Sequence, residues 1–256
     1  MTELEGKVAL ITGGCGDIGR ATAGRLLERG ARVALLDVGG AEKAAAVGSP
    51  DRILFVQCDV SDRGAVAGAI DTIIAKWGRL DFAISNAGVV QNQPFLEITP
   101  EAFAQTLNVN LSGCFHVAQL AARVMNKQEP DAHGVRGKIL FTGSWVQDMP
   151  WPEGTSYIVS KAGIKALARN MAQELAGRGI RVNVVAPGIV MAGLSKQVYE
   201  TDPGFGPRAT AAIPLGEFGT AEQVADAFAF LCGPASNYMT GSVLLVDGGC
   251  SLVKRQ

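Results

Sequence analysis

The segment Thr12-Gly13-Gly14-Cys15-Gly16-Asp17-Ile18-Gly19 decides the fold, because it joins a buried-strand pattern to a helical one. The apolar run 8–11 precedes it, and residues 18–29 follow it with the apolar spacing of a helix. Glycines here permit a tight turn and close backbone approach, so that the helix N-terminus can hold a diphosphate. Gly14-x-Gly16-x-x-Gly19 matches the dinucleotide fingerprint, and its place between a strand and a helix distinguishes it from an ordinary glycine-rich turn.

The rest of the chain repeats the alternation of strand and helix. Apolar runs without polar alternation predict strands buried on both faces, at residues 8–11, 32–36, 53–56, 82–84, 138–141, 181–185 and 243–246. Helical periodicity lies between them, at residues 18–29, 63–77, 100–126, 156–176 and 221–231. We therefore predict one α/β domain over residues 1–256, a single-domain Rossmann-type, doubly wound, seven-stranded parallel sheet with helices on both faces.

Residues 192–219 interrupt this pattern. They contain Pro203, Pro207 and Pro214 together with several glycines, and they fit no long element. A loop of this length inside a compact domain is usually functional. We interpret it as a lid over the substrate.

The composition excludes several classes of partner. The 256 residues are 48% hydrophobic and 18% charged, with a formal net charge of −1, and without a polybasic run there is no electrostatic support for binding nucleic acid or a membrane surface. No apolar stretch reaches the roughly 18 residues of a membrane span. The five cysteines are scattered, and the two histidines do not cluster. We therefore expect a reduced, cytoplasmic protein with no disulfide framework and no metal site.

Asp37 is the predicted determinant of the cofactor. It ends the second predicted strand, eighteen residues after Gly19. A carboxylate there can accept hydrogen bonds from both hydroxyls of an adenosine ribose and would repel a 2′-phosphate. Because no Arg or Lys stands in the glycine-rich turn, we predict NAD rather than NADP, although a solvated turn Asp is the alternative interpretation.

Tyr157 and Lys161 carry the predicted chemistry, thirteen residues after Ser144. Residues four apart lie on one face of a helix. A free tyrosine has a pKa of about 10 and is a poor base at neutral pH, but a neighbouring cation lowers that pKa. The three residues can therefore move a proton on and off a hydroxyl or carbonyl oxygen. Taken alone, the pattern also fits a surface lysine beside a half-buried tyrosine.

Together these residues resemble the short-chain dehydrogenase/reductase family, over about residues 7–249. The resemblance is carried by the glycine-rich turn and by short motifs in a fixed order, which are Asp59-Val60, Asn86-Ala87-Gly88, Asn108-Val109-Asn110-Leu111, Ser144, Tyr157 with Lys161, Pro187-Gly188 and Val246-Asp247-Gly248-Gly249.

The resemblance implies a catalytic tetrad of Asn110, Ser144, Tyr157 and Lys161. Tyr157 would abstract the hydroxyl proton as a hydride passes to the nicotinamide. Lys161 would lower the pKa of Tyr157 and hold the ribose hydroxyls, Ser144 would polarise the reacting oxygen, and Asn110 would kink its helix and hold a proton-relaying water. The residues expected to contact the dinucleotide are Gly13, Asp17, Ile18, Gly19, Asp37, Val38, Asp59, Val60, Asn86, Ala87, Gly88, Tyr157, Lys161, Pro187, Gly188, Ile189 and Val190.

Two positions depart from the family pattern. Asp17 replaces a glycine, and a carboxylate near a diphosphate should repel it. Because Asp at a helix N-terminus is favourable, we expect Asp17 to cap its helix with the side chain turned from the phosphates and cofactor binding to survive. Ala192 stands five residues after Pro187, where the family often has a threonine that donates to the nicotinamide carboxamide, and backbone groups would have to replace that bond.

The substrate pocket is predicted from the segments around these motifs. Aromatic rings beside hydrogen-bonding side chains suit a polyhydroxylated or cyclic alcohol, although each residue could equally be packing or solvated. The candidates are Gln91, Trp145, Gln147, Trp151, Glu153, Met191, Lys196 and Tyr199.

Three functional hypotheses remain open from the sequence. The first is an NAD-dependent dehydrogenase of a sugar, polyol or other alcohol, and the second is a carbonyl or 3-oxoacyl-thioester reductase. The third, from another class, is a non-catalytic NAD-binding interaction protein. The family also implies a homotetramer that pairs the helices near Asn110 and Tyr157 and the C-terminal segments.

Overall fold

The computed structural model describes residues 2–252, and it contains one seven-stranded sheet in the order β3-β2-β1-β4-β5-β6-β7. Every neighbouring pair of strands in this sheet is parallel. The strands are β1 Val8–Thr12, β2 Arg32–Asp37, β3 Ile53–Gln57, β4 Phe82–Ser85, β5 Gly137–Thr142, β6 Ile180–Pro187 and β7 Val243–Val246. The predicted fold is confirmed, and each predicted strand lies within an observed one.

Helices cover both faces of the sheet. They are α1 Asp17–Glu28, α2 Ala41–Ala45, α3 Arg63–Trp77, α4 Pro100–Leu107, α5 Gly113–Met125, α6 Thr155–Leu175, α7 Gly193–Thr201, α8 Phe205–Ala211 and α9 Ala221–Cys232. One apolar cluster joins the sheet to α3, α5 and α6, and a second joins it to α1 and α9. Continuous apolar strands are therefore buried on both faces, as the absence of polar alternation predicted.

The strand order reverses at β1, which pairs with β2 on one side and β4 on the other. Ligands of open α/β sheets bind at such a reversal, outside the carboxyl ends of the strands. The glycine-rich turn follows β1 and the Asn86-Ala87-Gly88 segment follows β4. Topology thus brings two of the predicted motifs to one crevice.

Three segments differ from the prediction. Helix α2, Ala41–Ala45, lies where no helix was predicted. The predicted helix over residues 100–126 is interrupted by a π turn, Asn108–Ser112, between α4 and α5. The region predicted to lack long elements, residues 192–219, contains the short helices α7 and α8. Its ends are held together, because Met191 N donates to Gly219 O at 2.8 Å and Gly219 N donates to Ile189 O at 3.0 Å.

Two absences hold for residues 2–252 alone. No helix there combines the length and the apolar character that crossing a membrane requires. No group of three His, Cys, Asp or Glu side chains within that span is placed to hold a metal ion.

Candidate active site

The glycine-rich turn is shaped by two glycines that cannot be replaced without strain. Gly13 has φ +60°, in the left-handed region that favours glycine. A Cβ on Gly19 would lie 2.3 Å from the carbonyl oxygen of Gly13 and 2.8 Å from the Cα of Gly14. The first turn of α1 therefore packs directly against the end of β1, and its N-terminal amides face the crevice, which fits a bound diphosphate.

Asp37 lies at the rim of this turn, and its orientation is fixed by backbone donors. Its Oδ2 accepts from Cys15 N at 3.0 Å, and its Oδ1 accepts from Val38 N at 2.8 Å. Each carboxylate oxygen retains acceptor capacity beyond these bonds. The group is thus held ready to accept from a pair of ligand hydroxyls.

The thiol of Cys15 reports the electrostatic potential at this rim. Burial raises its pKa first, and the negative charges of Asp37 and Glu42 raise it further. Lys43 and Arg20 oppose this shift more weakly. The net effect of these charges on the thiol is therefore that of a negative environment.

A polar network ties the turns after β1, β4 and β5 together. Thr12 Oγ1 accepts from Asn86 N at 3.0 Å and from Ala87 N at 3.1 Å, while Asn86 Nδ2 donates to Gly13 O at 3.2 Å. Thr142 Oγ1 donates to Asn86 Oδ1 at 3.1 Å. Asn86 thus links three strand ends and sets the floor of the crevice.

Lys161 and Tyr157 lie on one face of α6, as their spacing predicted. The Lys161 side chain is buried, its Nζ donates to Thr142 O at 2.7 Å, and this nitrogen is 5.3 Å from the centroid of the Tyr157 ring. Ser144 follows β5, and its Oγ accepts weakly from Val146 N at 3.4 Å. The side chains of Ser144, Tyr157 and Lys161 all line one cleft.

Asn110 is fully buried in the π turn, where Gly113 N donates to Asn108 O five residues earlier. Its Oδ1 accepts from Val89 N at 2.8 Å, and its Nδ2 donates to Val89 O at 2.9 Å and to Ser160 Oγ at 3.1 Å. The side chain therefore joins the β4 loop to α6. The water predicted to lie beside Asn110 stays a prediction.

One cleft of about 490 Å³ brings most of the predicted residues together. The predicted residues that line it are Gly13, Asp17, Ile18, Asp37, Val38, Asp59, Val60, Asn86, Ala87, Gly88, Ser144, Tyr157, Lys161, Pro187, Gly188 and Val190. Asn110 and Gly19 do not line the cleft, but they contact Val89 and Gly13, which do. Ile189 belongs to a cluster of apolar side chains beneath the lid. Tyr157, the predicted proton donor and acceptor, and the predicted dinucleotide-binding turn thus share one cavity.

The predicted substrate residues divide between two places. Trp145 and Trp151 meet edge to face with centroids 5.3 Å apart, in a cluster that also includes Tyr157 and, from α8, Phe205 and Ala209. Met191 and Tyr199 instead line a second cavity between α7 and α8.

Trp145 and Trp151 line neither of the two cavities, and the same holds for the remaining substrate candidates. Gln91 Nε2 donates to Gln105 Oε1 at 3.2 Å, Glu153 is exposed in the turn before α6, and Lys196 is exposed on α7. Gln147 is 7% exposed, and no protein group among the described residues bonds its Nε2 or Oε1. A Cβ on Gly143 would lie 2.7 Å from that Oε1, so the amide is packed against the strand end that carries Ser144.

Asp17 does not cap its own helix, and that expectation was wrong. Its Oδ2 accepts from Gly193 N at 2.8 Å and its Oδ1 accepts from Arg20 Nη2 at 2.9 Å. The bond from Gly193 is the main cause of a lowered pKa for this carboxyl group, ahead of the opposing effect of burial and the contribution of Arg20. The side chain therefore bridges the glycine-rich turn and the first residue of α7.

Known proteins share this architecture. A family profile described as enoyl-(acyl carrier protein) reductase matches residues 15–251. A crystal structure of a short-chain type dehydrogenase/reductase from Mycobacterium marinum is 35% identical, with a TM-score of 0.88 and 98% of each chain covered. The chain is a short-chain dehydrogenase/reductase. It is thus an oxidoreductase of a family that acts on CH–OH groups and carbonyls.

Curated relatives of this dehydrogenase/reductase differ in their substrates. The 3-oxoacyl-[acyl-carrier-protein] reductase FabG of Thermotoga maritima is 35% identical over 96% of this chain and 98% of its own. The D-threitol dehydrogenase of Mycolicibacterium smegmatis is 34% identical over 97% of this chain and 94% of its own. The family is therefore established, while the substrate of this member is left open.

Several lining residues of this dehydrogenase/reductase were not predicted from the sequence. They include Thr142, whose carbonyl oxygen holds Lys161, and Ser195, which enters the cleft from the lid. Thr12 and Ser160 act behind the lining as partners of Asn86 and Asn110. A side chain that anchors another carries no motif, so only its place next to one, as for Thr12, could have indicated it.

Proposed function

We propose that this short-chain dehydrogenase/reductase uses NAD to interconvert a secondary alcohol and its carbonyl, with a sugar, polyol or cyclic alcohol as substrate. The observation that carries the proposal is the shared cleft, in which Tyr157 and Lys161 lie with Asp37 and the glycine-rich turn. A proton donor and acceptor beside a dinucleotide-binding turn suits hydride transfer and little else.

The residues of the cleft fit a dinucleotide. Amides at the N-terminus of α1 would hold the diphosphate, Asp37 the adenosine ribose, and Lys161 the nicotinamide ribose. When bound, the nicotinamide supplies the acceptor or donor of hydride. Backbone groups near Gly188 would serve the carboxamide in place of the side chain missing at Ala192.

Proton transfer is assigned to Tyr157. In oxidation its phenolic oxygen takes the proton of the substrate hydroxyl, and in reduction it returns the proton to the carbonyl oxygen. Ser144 donates a hydrogen bond to the same oxygen and stabilises the charge that develops there. Lys161, held by Thr142 O, lies beside the Tyr157 ring, where its side chain would stabilise negative charge that develops on the phenolic oxygen during the reaction.

The preference for NAD is supported by the negative rim. Asp37 and Glu42 dominate the potential around Cys15. An added 2′-phosphate would meet this potential at short range, which disfavours NADP. The polyol class is supported by the similarity to D-threitol dehydrogenase and by the paired Trp145 and Trp151 beside Tyr157.

A second candidate function is reduction of a 3-oxoacyl thioester, favoured by the similarity to FabG. Assays of acetoacetyl-coenzyme A with NADPH, against polyols and cyclic alcohols with NAD, separate the two. Faster turnover of the thioester with NADPH would establish this candidate and overturn the first.

The proposal is tested by Tyr157→Phe, with Tyr238→Phe as the matched control because Tyr238 is fully exposed. We expect loss of turnover by about 10²-fold or more for Tyr157→Phe, with NADH binding retained. Normal turnover of the best substrate by Tyr157→Phe would show that the reaction does not use this tyrosine. A normal biological effect of that variant would favour the third hypothesis, a non-catalytic NAD-binding interaction protein.

We also propose that the protein is a cytoplasmic homotetramer. Phe115 and Val159 expose 41% and 42% of their surface on α5 and α6, and Leu245 exposes 48% on the edge strand β7. Apolar side chains on these two faces suit burial against further subunits. Sedimentation of the wild type against Val159→Lys tests it, with a tetramer expected only for the former.

A further inference from the structure

The two departures from the family pattern, Asp17 and Ala192, meet at one point of the structure. Ala192 is the N-cap residue of α7, and Gly193 is the first residue of that helix. The amide of Gly193 donates to Asp17 Oδ2 at 2.8 Å, although 176 residues separate the two along the chain. Asp17, one of the two departures, therefore contacts Gly193, which is next to Ala192, the other.

Helix α7 requires an acceptor at this end. The first amides of a helix have no partner within it, and a Ser, Thr, Asp or Asn at the N-cap usually provides one. Ala192 has only a methyl group and cannot do so. The carboxylate of Asp17 supplies the acceptor from the other side of the cleft, and it also lies where the dipole of α7 is positive.

The same carboxylate lies at the diphosphate end of the cleft. Asp17 is in the first turn of α1, whose N-terminus is the expected anion site, and it lines the cleft with Gly193 and Ser195. A diphosphate brought to this place would repel the carboxylate and would compete with it for the amide of Gly193. Arg20, paired with Asp17 at 2.9 Å, offsets only part of this charge.

We propose that, while the cleft contains no dinucleotide, the Asp17 carboxylate does two things. It caps α7 in place of an N-cap side chain, and it occupies the position that a cofactor phosphate would take. The cap holds the lid on the glycine-rich turn, and the carboxylate yields the amide of Gly193 when a dinucleotide binds. This makes Asp17 a positioning residue that couples lid closure to cofactor affinity, and the second half of the proposal rests on the proposed dinucleotide function.

The first half is tested on the cofactor-free protein by amide hydrogen exchange in the first turn of α7. Asp17→Gly should exchange at least about tenfold faster there, because the cap is lost. Asp17→Asn keeps an acceptor oxygen and should retain most of the protection. Ala192→Thr should restore protection in the Asp17→Gly background and add little in the wild type, so that the two changes are non-additive. Equal exchange in wild type and Asp17→Gly would overturn the cap.

The second half is tested by titrating NADH and following its fluorescence. Asp17→Gly and Asp17→Asn should each lower the dissociation constant by about three- to tenfold at low salt, and the difference should shrink as salt is added. Glu28→Gln is the control, since it removes a carboxylate from the far end of α1 and should leave the constant unchanged. An unchanged or raised constant in both Asp17 variants would overturn the competition.

Failure of this inference and failure of the proposed function are distinguishable. If the protein does not use a dinucleotide, neither NADH nor NADPH will bind to the wild type or to any variant, whatever the exchange data show. If it does, NADH binds the wild type, and only the pattern among the variants decides the role of Asp17.

Discussion

The Lys161 ammonium lies 5.3 Å from the centroid of the Tyr157 ring and is fixed there by a 2.7 Å hydrogen bond to Thr142 O. The lysine is 3% exposed, so its position is set by the strand end and not by solvent. Strand β5 therefore orients a side chain that helix α6 carries, and the position of Lys161 beside Tyr157 depends on how the two elements pack.

Replacement of Lys161 should be severe even when charge is kept. A guanidinium is larger and planar, so Lys161→Arg cannot reproduce the bond to Thr142 O in this buried space. We expect Lys161→Met and Lys161→Arg each to lower kcat by about 10²-fold or more and to raise KM for NAD. Lys165→Met is the control one turn along α6, where Lys165 pairs with Asp148 at the surface. Normal kcat in Lys161→Arg would show that charge alone suffices.

Asn110 should contribute to stability as well as to the site. Asn110→Ala removes the acceptor of Val89 N and the donor to Val89 O, which are partly buried, and the donor to Ser160 Oγ, which is buried. Leaving buried partners unpaired costs about 1–3 kcal/mol. We expect a loss of that size in urea unfolding together with reduced kcat, against little change for Asn108→Ala, which is exposed in the same π turn. Equal stability of the two variants would mean that the bonds are not formed in solution.

Asp37 should decide the choice between the two dinucleotides. Asp37→Ala removes the carboxylate that repels a 2′-phosphate, and we expect the ratio of kcat/KM for NAD over NADP to fall by about tenfold or more. Asp51→Ala is the control, because Asp51 is an exposed acid in a turn outside the cleft. An unchanged ratio in Asp37→Ala would contradict both the role of Asp37 and the preference proposed for NAD.

The sheet was predictable because its strands are continuous apolar runs, whose burial needs no long-range information. Motifs at the ends of β1, β4 and β5 could be placed together for the same reason, since parallel strands deliver their carboxyl ends to one edge. The family resemblance implied a kink at Asn110 but not its form, because nothing in Asn108–Ser112 distinguishes a hydrogen bond between residues i and i+5 from the usual one between i and i+4. The bond between Asp17 and Gly193 joins residues 176 apart, and only the folded lid shows it.

Helices α7 and α8 were missed for a different reason. Helix α7 is only nine residues long, and α8 lies among prolines and glycines between residues 203 and 216, which are read first as breakers. Packing overrides that tendency, since Phe205, Ala209 and Ile213 pack in the apolar cluster beside Trp145. Tertiary contact thus forms helices there that local propensity does not favour.

Lys138 should make the free energy of unfolding depend on pH in the alkaline range. Its Nζ donates to Gly233 O at 2.7 Å and Ser236 Oγ at 2.9 Å, and burial lowers its pKa from 10.5 to about 8. Between about pH 8 and 10.5 the unfolded chain binds the proton that the folded one has released, so this group raises the free energy of unfolding as pH rises. Its slope is at most about 1.4 kcal/mol per pH unit.

The measurement compares urea unfolding of wild type and Lys138→Met from pH 7.5 upward, a range set by that pKa of about 8. We expect the free energy of unfolding of the wild type to rise relative to that of Lys138→Met as the pH rises. Lys165→Met, which removes a surface lysine, should keep the wild-type dependence. A pH-independent difference for Lys138→Met would mean that the buried lysine titrates normally.

Gln147 should lower the stability of the fold and contribute to substrate binding. Its amide is buried without a bond to any described protein group, whereas the amide of Gln128 donates to Leu80 O and Arg136 O and accepts from Leu80 N. A buried polar group without a protein partner costs about 1–3 kcal/mol. We therefore expect Gln147→Leu to unfold at equal or higher urea than wild type, while Gln128→Leu unfolds at clearly lower urea.

Activity then decides why the amide is retained beside Ser144. The amide is buried at the strand end and lines neither cavity, so a substrate hydroxyl reaches it only when that packing opens. If substrate binding opens it, we expect Gln147→Leu to lose about tenfold in kcat/KM for a polyol while losing little for an alcohol with a single hydroxyl, because an amide can both donate to and accept from a second hydroxyl. The ratio of the two substrates is the readout, since a purely structural change would lower both alike. Equal losses for the two alcohols, or destabilisation as large as that of Gln128→Leu, would place Gln147 in the packing of the strand end and remove it from substrate recognition.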